Sequence, residues 1–492
     1  DTSIKLTTTR IVTSANHIAR RCHTAIFTKS NSKIVFAIPS SSNSCIHHLE
    51  SNLYPTSVPD PDIPSPVTQA AKPNPHPNTQ RTPSAHHALL AATGEQPSTT
   101  SYQVLDTHLI PSTDPSPLDT LQTILDQSHN KSPDSHWLIT LSYNLAPTIE
   151  PSIPLSPNPF PHIIAQRIEP TPNPSTSTPT QQAPWSVDPT KLSITNKADY
   201  QRIVSSALEY IAAGDIYQVN LTHPITLPFT GSSHTLAKQL FQSTSPTQGS
   251  YTVFDTDKNN DNSPNSKQSS RHAIISLSPE TFLTYNPTTN TLTTEPMKGT
   301  SPATSNPNDL YQSPKDRAEL NMIIDLMRND LARISTPGSV RVTNPRQITT
   351  HHNSVHQATA TIQSTPRPNT TLSQILKATF PPGSITGAPK VRAMQIIQEL
   401  ESTLPNHQPR SPYCGSTIAL NPNGAFNASV NIRTLHIQGT PSPSAPDAFE
   451  NATLTYFTGA GIVADSSPQA EWEETLTKAH ILQSTLGITL PF

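Results

Sequence analysis

The chain is poor in cysteine, in glycine and in charge. Three cysteines, Cys22, Cys45 and Cys414, stand among 492 residues. They are too few and too scattered for a disulfide framework or a zinc knuckle. A reducing compartment, the cytoplasm, is therefore expected. Basic residues number 31 against 34 acidic, for a net charge of −3. That balance offers no one-sided field for a nucleic acid or a membrane surface, and neither partner is expected. No run of about 18 apolar residues occurs, so no membrane span is expected. Residues 1–30 lack an apolar signal core. Arg10, Arg20 and Arg21 amid Ser and Thr make a transit peptide the minor alternative there. Only 14 glycines are present. Each is informative, because glycine takes positive φ without steric cost.

Proline is abundant, at 53 residues, and unevenly spread. Residues 55–100 read as an extended, polyproline-like connection. Residues 255–271, polar and charged between "SYTVF" and "HAIISLS", read as a long hairpin loop, and 440–450 as another such tip. Before residue 190, short strand-like runs ("KIVFAI", "HWLITLSY", "HIIAQRI") alternate with loops. After it, helices become clear. Tyr200, Ile203, Val204, Ala207, Leu208 and Ile211 follow the helical period, and Gly214 ends the run. Ser313-Pro314, Pro389 and Ser467-Pro468 open three more helices. The chain thus divides into an amino-terminal region, 1–190, and a second region, 191–492. Helices and strands are interspersed, so the expected class is α+β, a mixed sheet with helices packed outside.

Several constellations carry chemistry. Glu471, Glu474 and Lys478 share one helical face. They form either a solvated charged face or a holder for a hard cation and an anionic ligand. Glu319 precedes the apolar stripe that starts at Leu320, and turned inward it would need a cation or donors. Gly383, Ser384, Thr386 and Gly387 lie ahead of a helix start, as a glycine turn or as an anion site. In "ASVNIRTLHI" strand alternation sends Asn431 and Arg433 to one face, where the arginine fork suits a carboxylate. Gly459 and Gly461 permit close backbone approach. His351, His352 and His356 match no metal-ligand spacing, and zinc is not expected.

In order along the chain, "GDIYQVNLT", "SLSPETFL", "EPMKGTSP", "KDRAELNMIIDLMRNDLARI", "FPPGSITGAPKVRAMQIIQELE", "YCGS…NIRTL" and "GAGIVADS…EWEETLTKA" resemble the chorismate-utilising enzymes. The likeness covers roughly 190–490 and runs nearest to the aminodeoxychorismate branch, with anthranilate synthase component I next. It implies an anthranilate synthase component I-like fold, with large mixed or antiparallel sheets stacked in a sandwich and helices packed outside. It also implies chorismate as substrate, Mg²⁺ as cofactor and a glutamine amidotransferase as ammonia-supplying partner. Residue by residue, it implies that Glu319, Glu474 and Glu471 hold the metal. Arg433, Lys478, Gly459 and Gly461 would bind substrate carboxylates, with Thr300 and Thr386 as further contacts. Glu280 would be the acid or base beside the leaving hydroxyl. Lys298 would be the nucleophile, which works only as a free amine of lowered pKa.

The resemblance implies that Gln218, as a substrate-side residue, together with Lys298 selects amination at the position of the leaving hydroxyl, on the route to 4-aminobenzoate and folate. The sequence departs from the family pattern at Gln357, where histidine is usual, and at Ile418-Ala419, where a glycine-tyrosine pair is usual. Anthranilate synthesis and a degenerate chorismate-binding subunit are the alternatives.

Overall fold

A computed structural model describes residues 26–30, 33–37, 80–81, 87–91, 99–154, 158–170, 184–256, 269–302, 304–351 and 355–490. Two compact units divide the chain between Asn74 and Pro75. The first contains an antiparallel hairpin of β1 (Ile26–Ser30) and β2 (Lys33–Ala37).

The second unit, Pro75–Phe492, is organised by one antiparallel ladder. Its strands are β3 (His87–Ala91), β4 (Thr99–Ile110), β5 (His136–Leu141), β6 (Ile163–Pro170), β7 (Gln218–Ser232), β8 (Gln248–Thr256), β9 (Ser270–Ser278), β10 (Thr281–Asn286), β11 (Thr291–Glu295), β12 (Met297–Pro302), β13 (Arg341–His351), β14 (Val355–Ser364), β15 (Gly387–Ala388), β16 (Ser416–Leu420), β17 (Phe426–Val430), β18 (Thr434–Pro441) and β19 (Ala448–Ile462). Hydrogen-bonded neighbours follow β7–β19–β18–β9–β8–β3–β4–β6–β5–β16–β17–β10–β11–β14. Strands β12 and β13 also pair with β14, and β15 with the start of β7. The helices of seven or more residues are α1 (Pro117–Lys131), α2 (Lys197–Ala212), α3 (Ser233–Thr244), α4 (Pro314–Ala332), α5 (Leu372–Thr379), α6 (Lys390–Glu401), α7 (Pro468–Lys478) and α8 (His480–Leu486). Ser313 and Ser467 cap α4 and α7 by accepting the Asp316 and Ala470 N–H groups, and Pro314 and Pro468 open those helices.

Strand alternation sorts the apolar side chains into layers. Tyr251, Val253, Ala273 and Ile275 pack with α2, α3, α6 and α7 in one core. Ile139, Leu141, Ile163 and Ala165 pack with α1, α4 and α5 in another. The intervening Ile164, Phe254 and Ile274 face the other way and meet Leu109 and Phe160 in a third cluster. The two helix-covered halves of the ladder therefore stand back to back, as an α+β sandwich with its helices outside. Polar groups cross the middle: Gln166 Nε2 donates to the Val253 carbonyl at 3.3 Å.

Two expectations need correction. Residues 80–81, 87–91 and 99–100 are not part of an unpaired connection: 80–81 pair with β4, and β3 (87–91) pairs with β8 and with β4, which begins at 99–100. The remainder of 55–98 lies outside the described residues. "ASVNIRTLHI" is not one strand either. β17 ends at Val430 and β18 begins at Thr434, and Arg433 between them has φ +51°. Alternation cannot be carried through a left-handed residue, so the facing of Arg433 had to come from the break itself. The loops after β8 and after β18 do join antiparallel hairpins, as expected. Strands β3 to β6 share the ladder with those beyond residue 190, and the division into compact units falls along the chain after Asn74.

Candidate active site

Lys298 sits on a β-bulge. Between the pairs Met297↔Thr359 and Thr300↔Gln357, β12 spends one residue more than β14. Gly299 takes φ +85°, which turns the extra residue out of the ladder. A Cβ at Gly299 would also fall 2.7 Å from Asp316 Oδ1, at the start of α4. The bulge aims the lysine at the junction of β7 and β19, where Asn220 pairs with Gly461. There a Cβ on Gly461 would stand 2.8 Å from Gln218 Nε2 and 3.2 Å from Lys298 Nζ. Gly461 thus leaves room for two functional groups to meet. Gly459 does a different job, since a Cβ there would strike the Leu221 carbonyl at 2.5 Å on the paired strand.

Charge is concentrated around this amine. Burial lowers the Lys298 pKa, and the Lys478 ammonium lowers it further; Glu319, Glu280 and Glu474 pull it upward. Glu280 is buried, and desolvation pushes its carboxyl up to about 7, against hydrogen bonds from the Ser384 side chain and the Met297 N–H and the charge of Lys298. The pair is therefore an amine made easier to deprotonate beside a carboxyl made easier to protonate. Gln218 is 1 % exposed, and its Oε1 has no hydrogen-bond donor among the described residues. A buried amide oxygen in that condition calls for a guest that brings a proton.

Helix α7 supplies the opposite wall. Trp472 and Thr475 anchor it: the Trp472 ring stacks on His223 at 5.3 Å, and His223 Nε2 meets Thr475 Oγ1 at 3.1 Å. The other face presents Lys478, which bonds the Gly459 carbonyl at 2.9 Å and Glu474 at 2.7 Å. Glu474 and Lys478 are about half exposed, so this side opens to solvent, while Glu471 is buried. Arg433 is linked to the end of α7 through Tyr456: its charge acts on the Tyr456 hydroxyl, which donates to the Lys478 carbonyl at 3.2 Å.

The remaining expected residues divide. The Thr300 backbone pairs with Gln357, and its side chain lies outside the description. Thr386 is buried, with its hydroxyl donated to the Pro382 and Gly383 carbonyls, so that hydroxyl shapes the turn. The Ile385 and Thr386 N–H groups also bond within the turn. The stretch 383–387 is therefore a wall carrying Ser384, and the open anion nest considered from the sequence is not formed by those two groups. Ser384 is the site residue that sequence reasoning undervalued; its signal was the turn itself. Among the described residues no group of three or more His, Cys, Asp or Glu is close enough to hold a metal. Glu319, Glu471 and Glu474 accordingly do not form a closed cage, although Glu319 and Glu474 both act on Lys298. His356, 5 % exposed, is occupied by Thr350 and the Ser305 carbonyl.

Residues 158–484 match the family described as chorismate binding enzyme, and the chain belongs to that family. Among curated relatives it is 37% identical over 279 residues to aminodeoxychorismate synthase component 1 of Klebsiella aerogenes, a match covering 55% of this chain and 54% of that protein. It is 33% identical over 300 residues to anthranilate synthase component 1 of Aquifex aeolicus, covering 59% and 53%. The chain thus spans about half the length of the curated relatives it matches. Two solved structures share the fold. Anthranilate synthase component I from Streptococcus pneumoniae gives a TM-score of 0.57 at 21% identity, covering 85% of this chain and 95% of that one. The menaquinone-specific isochorismate synthase from Escherichia coli gives 0.58 at 17% identity, covering 82% and 88%.

Proposed function

We propose that this chain is an aminodeoxychorismate synthase component 1, which aminates chorismate to 4-amino-4-deoxychorismate through covalent catalysis by Lys298. The observation that carries the reading is the meeting of Lys298 Nζ with Gln218 at the space left by Gly461. Gln218 Oε1 is an acceptor suited to ammonia, which brings N–H donors.

In the proposed sequence the Lys298 lone pair attacks ring carbon C2. Both conjugated ring double bonds shift, and the C4 hydroxyl leaves as water with a proton from Glu280. Ammonia then attacks C4, both double bonds return, the Lys298 amine departs from C2, and the proton shed by the new ammonium group restores Glu280. The nucleophile is thereby regenerated, and nitrogen replaces oxygen at C4. Burial and the Lys478 charge favour the free amine that the first step needs. The raised Glu280 pKa keeps a proton available near neutrality. Arg433 and Lys478 would hold the substrate's carboxylates.

Magnesium is proposed at Glu319 and Glu474, with Glu471 behind them. These are hard oxygen donors from two helices, and the donor chemistry fits. Mg²⁺ binds through one or two carboxylates, several waters and substrate oxygens, so a three-ligand cage is not required. When bound, it would screen the negative charge of a substrate carboxylate. A glutamine amidotransferase is the proposed source of ammonia.

The decisive assay supplies chorismate and ammonium, with and without Mg²⁺, and identifies the product. The 4-amino product is expected only with the metal, and Lys298→Ala should lower its formation by about 10²-fold or more. Full activity in that variant would remove the nucleophile. Fluorescent anthranilate as product would instead select the second reading, which the 33% identity to the Aquifex aeolicus protein favours.

A further inference from the structure

Behind the wall that carries Gln218 and Ser384 lies a buried ion pair that has no part in the chemistry above. Arg410 is 3 % exposed and Glu401 is 5 % exposed. Arg410 Nε donates to Glu401 Oε2 at 3.1 Å, and its Nη2 donates to Oε1 at 2.6 Å. The guanidinium lies over the Tyr143 ring, 4.7 Å from its centroid. A charge pair so deep is seldom worth its desolvation as a source of stability alone. Its remaining donors show where it acts. Nη2 also reaches the Asn220 carbonyl at 2.7 Å, two residues from Gln218 on β7, and Nη1 reaches the Ile385 carbonyl at 3.3 Å, next to Ser384. Glu401 Oε1 in turn accepts the Thr222 N–H at 2.8 Å and its hydroxyl at 2.9 Å. The Asn220 N–H closes the circuit on the Thr386 carbonyl at 2.8 Å.

We propose that Arg410, paired with Glu401, is a positioning residue: it clamps β7 to the 383–386 turn and so holds Gln218 and Ser384 at fixed places around Lys298 and Glu280. The planar fork matters, because one guanidinium spans a carboxylate and two carbonyls from separate segments, which a single ammonium cannot do. Arg410 touches no reacting atom. It acts through the two side chains whose backbones it fixes. The role rests on the proposed reaction for its kinetic consequence only; the clamp itself is a statement about the Lys298 environment.

Two variants test it, and Arg410→Ala is not one of them. Arg410→Ala leaves Glu401 as an unpaired buried carboxylate and is uninformative about position. Arg410→Lys keeps the charge and loses the fork. The double variant Arg410→Met with Glu401→Met removes both charges together, so no uncompensated charge remains in the interior. In either informative variant, with thermal unfolding confirming a folded protein, kcat for chorismate plus ammonium is expected to fall by about 10²-fold while KM for chorismate changes by less than about threefold. The reason for the split is that Arg433 and Lys478 lie outside the clamp.

A second readout does not depend on the reaction: the rate at which Lys298 is carbamylated by cyanate, followed by mass spectrometry. It should rise several-fold when the wall beside Nζ loosens. Lowered thermal stability with unchanged kcat and unchanged carbamylation would overturn the clamp. Should the parent protein fail to turn over chorismate, the proposed function fails, and carbamylation still decides whether Arg410 sets the surroundings of Lys298. If the double variant does not fold, Arg410→Lys alone decides.

Discussion

At the residue scale the site works by pairing two groups whose environments push them towards neutrality. Glu280 carries its proton up to about pH 7 because burial disfavours the carboxylate. The sign of its effect on stability follows. The unfolded chain releases that proton near the ordinary glutamate value, and the folded chain holds it until about 7. Stability therefore falls as pH rises across this window, and the full cost persists above it. Glu280→Gln removes that cost. Thermal unfolding at pH 8 should show the variant more stable than the parent, by at most about 3 kcal/mol. Its rate with chorismate, measured at constant free ammonia, should be low and should no longer decline above pH 7. A gain of stability with loss of turnover is what a strained functional site predicts.

At the element scale the decisive devices are local irregularities in otherwise regular strands. The bulge at Lys298–Gly299 frees one side chain from the β12–β14 ladder, and Gly461 on β19 makes the space that receives it. Two glycines on the same hairpin predict opposite outcomes. A Cβ at Gly439 would meet the Asn451 carbonyl at 2.1 Å, a backbone atom that cannot yield. A Cβ at Gly461 would meet the ends of two flexible side chains. Gly461→Ala should therefore fold, with a melting temperature within a few degrees of the parent as an estimate for a substitution met only by movable groups. It should lose turnover by at least about tenfold as Gln218 and Lys298 are forced apart. Unfolding scans and product assays on the one variant check both halves.

Helix starts were legible because Ser-Pro caps act locally, and α4 and α7 begin where those residues stand. Glu471, Glu474 and Lys478 were legible as one face for the same reason. The left-handed turn at Arg433 was not, because "VNIRT" has the alternation of a strand and only tertiary pairing reveals the break. The meeting of Gln218, Lys298 and Gly461 was equally invisible to spacing, since three distant strands make it; it became readable only through family resemblance. Arg410 gave no local signal at all.

At the scale of the whole molecule, histidines set the response to acid. His162, His223 and His272 are buried and His436 is partly buried, and desolvation lowers all four, His223 to about 3 and His436 to about 4. His272 and His436 also stack, with Nδ1 of one 3.0 Å from Nε2 of the other, in the layer between the sheets. The unfolded chain protonates its histidines near pH 6.5, whereas the folded chain resists. Stability is thus complete above that value and is lost as pH falls below it. The interval from 6.5 to about 4 costs roughly 3 kcal/mol for His436 alone. Urea titrations at pH 7 and pH 5 should show a marked drop in midpoint. His436→Phe, which keeps a ring against Phe160, should reduce that drop. An unchanged pH dependence would assign acid sensitivity elsewhere.

The undonated oxygen of Gln218 has a last consequence, for inhibitor chemistry. A transition-state mimic that offers an ammonium or amidine nitrogen at that point satisfies the amide, whereas an ether or ketone of the same shape sets oxygen against oxygen in a place water does not dilute. Selectivity among cyclic dicarboxylates would then be decided less by the acidic arms they share than by the single atom each one turns toward β7.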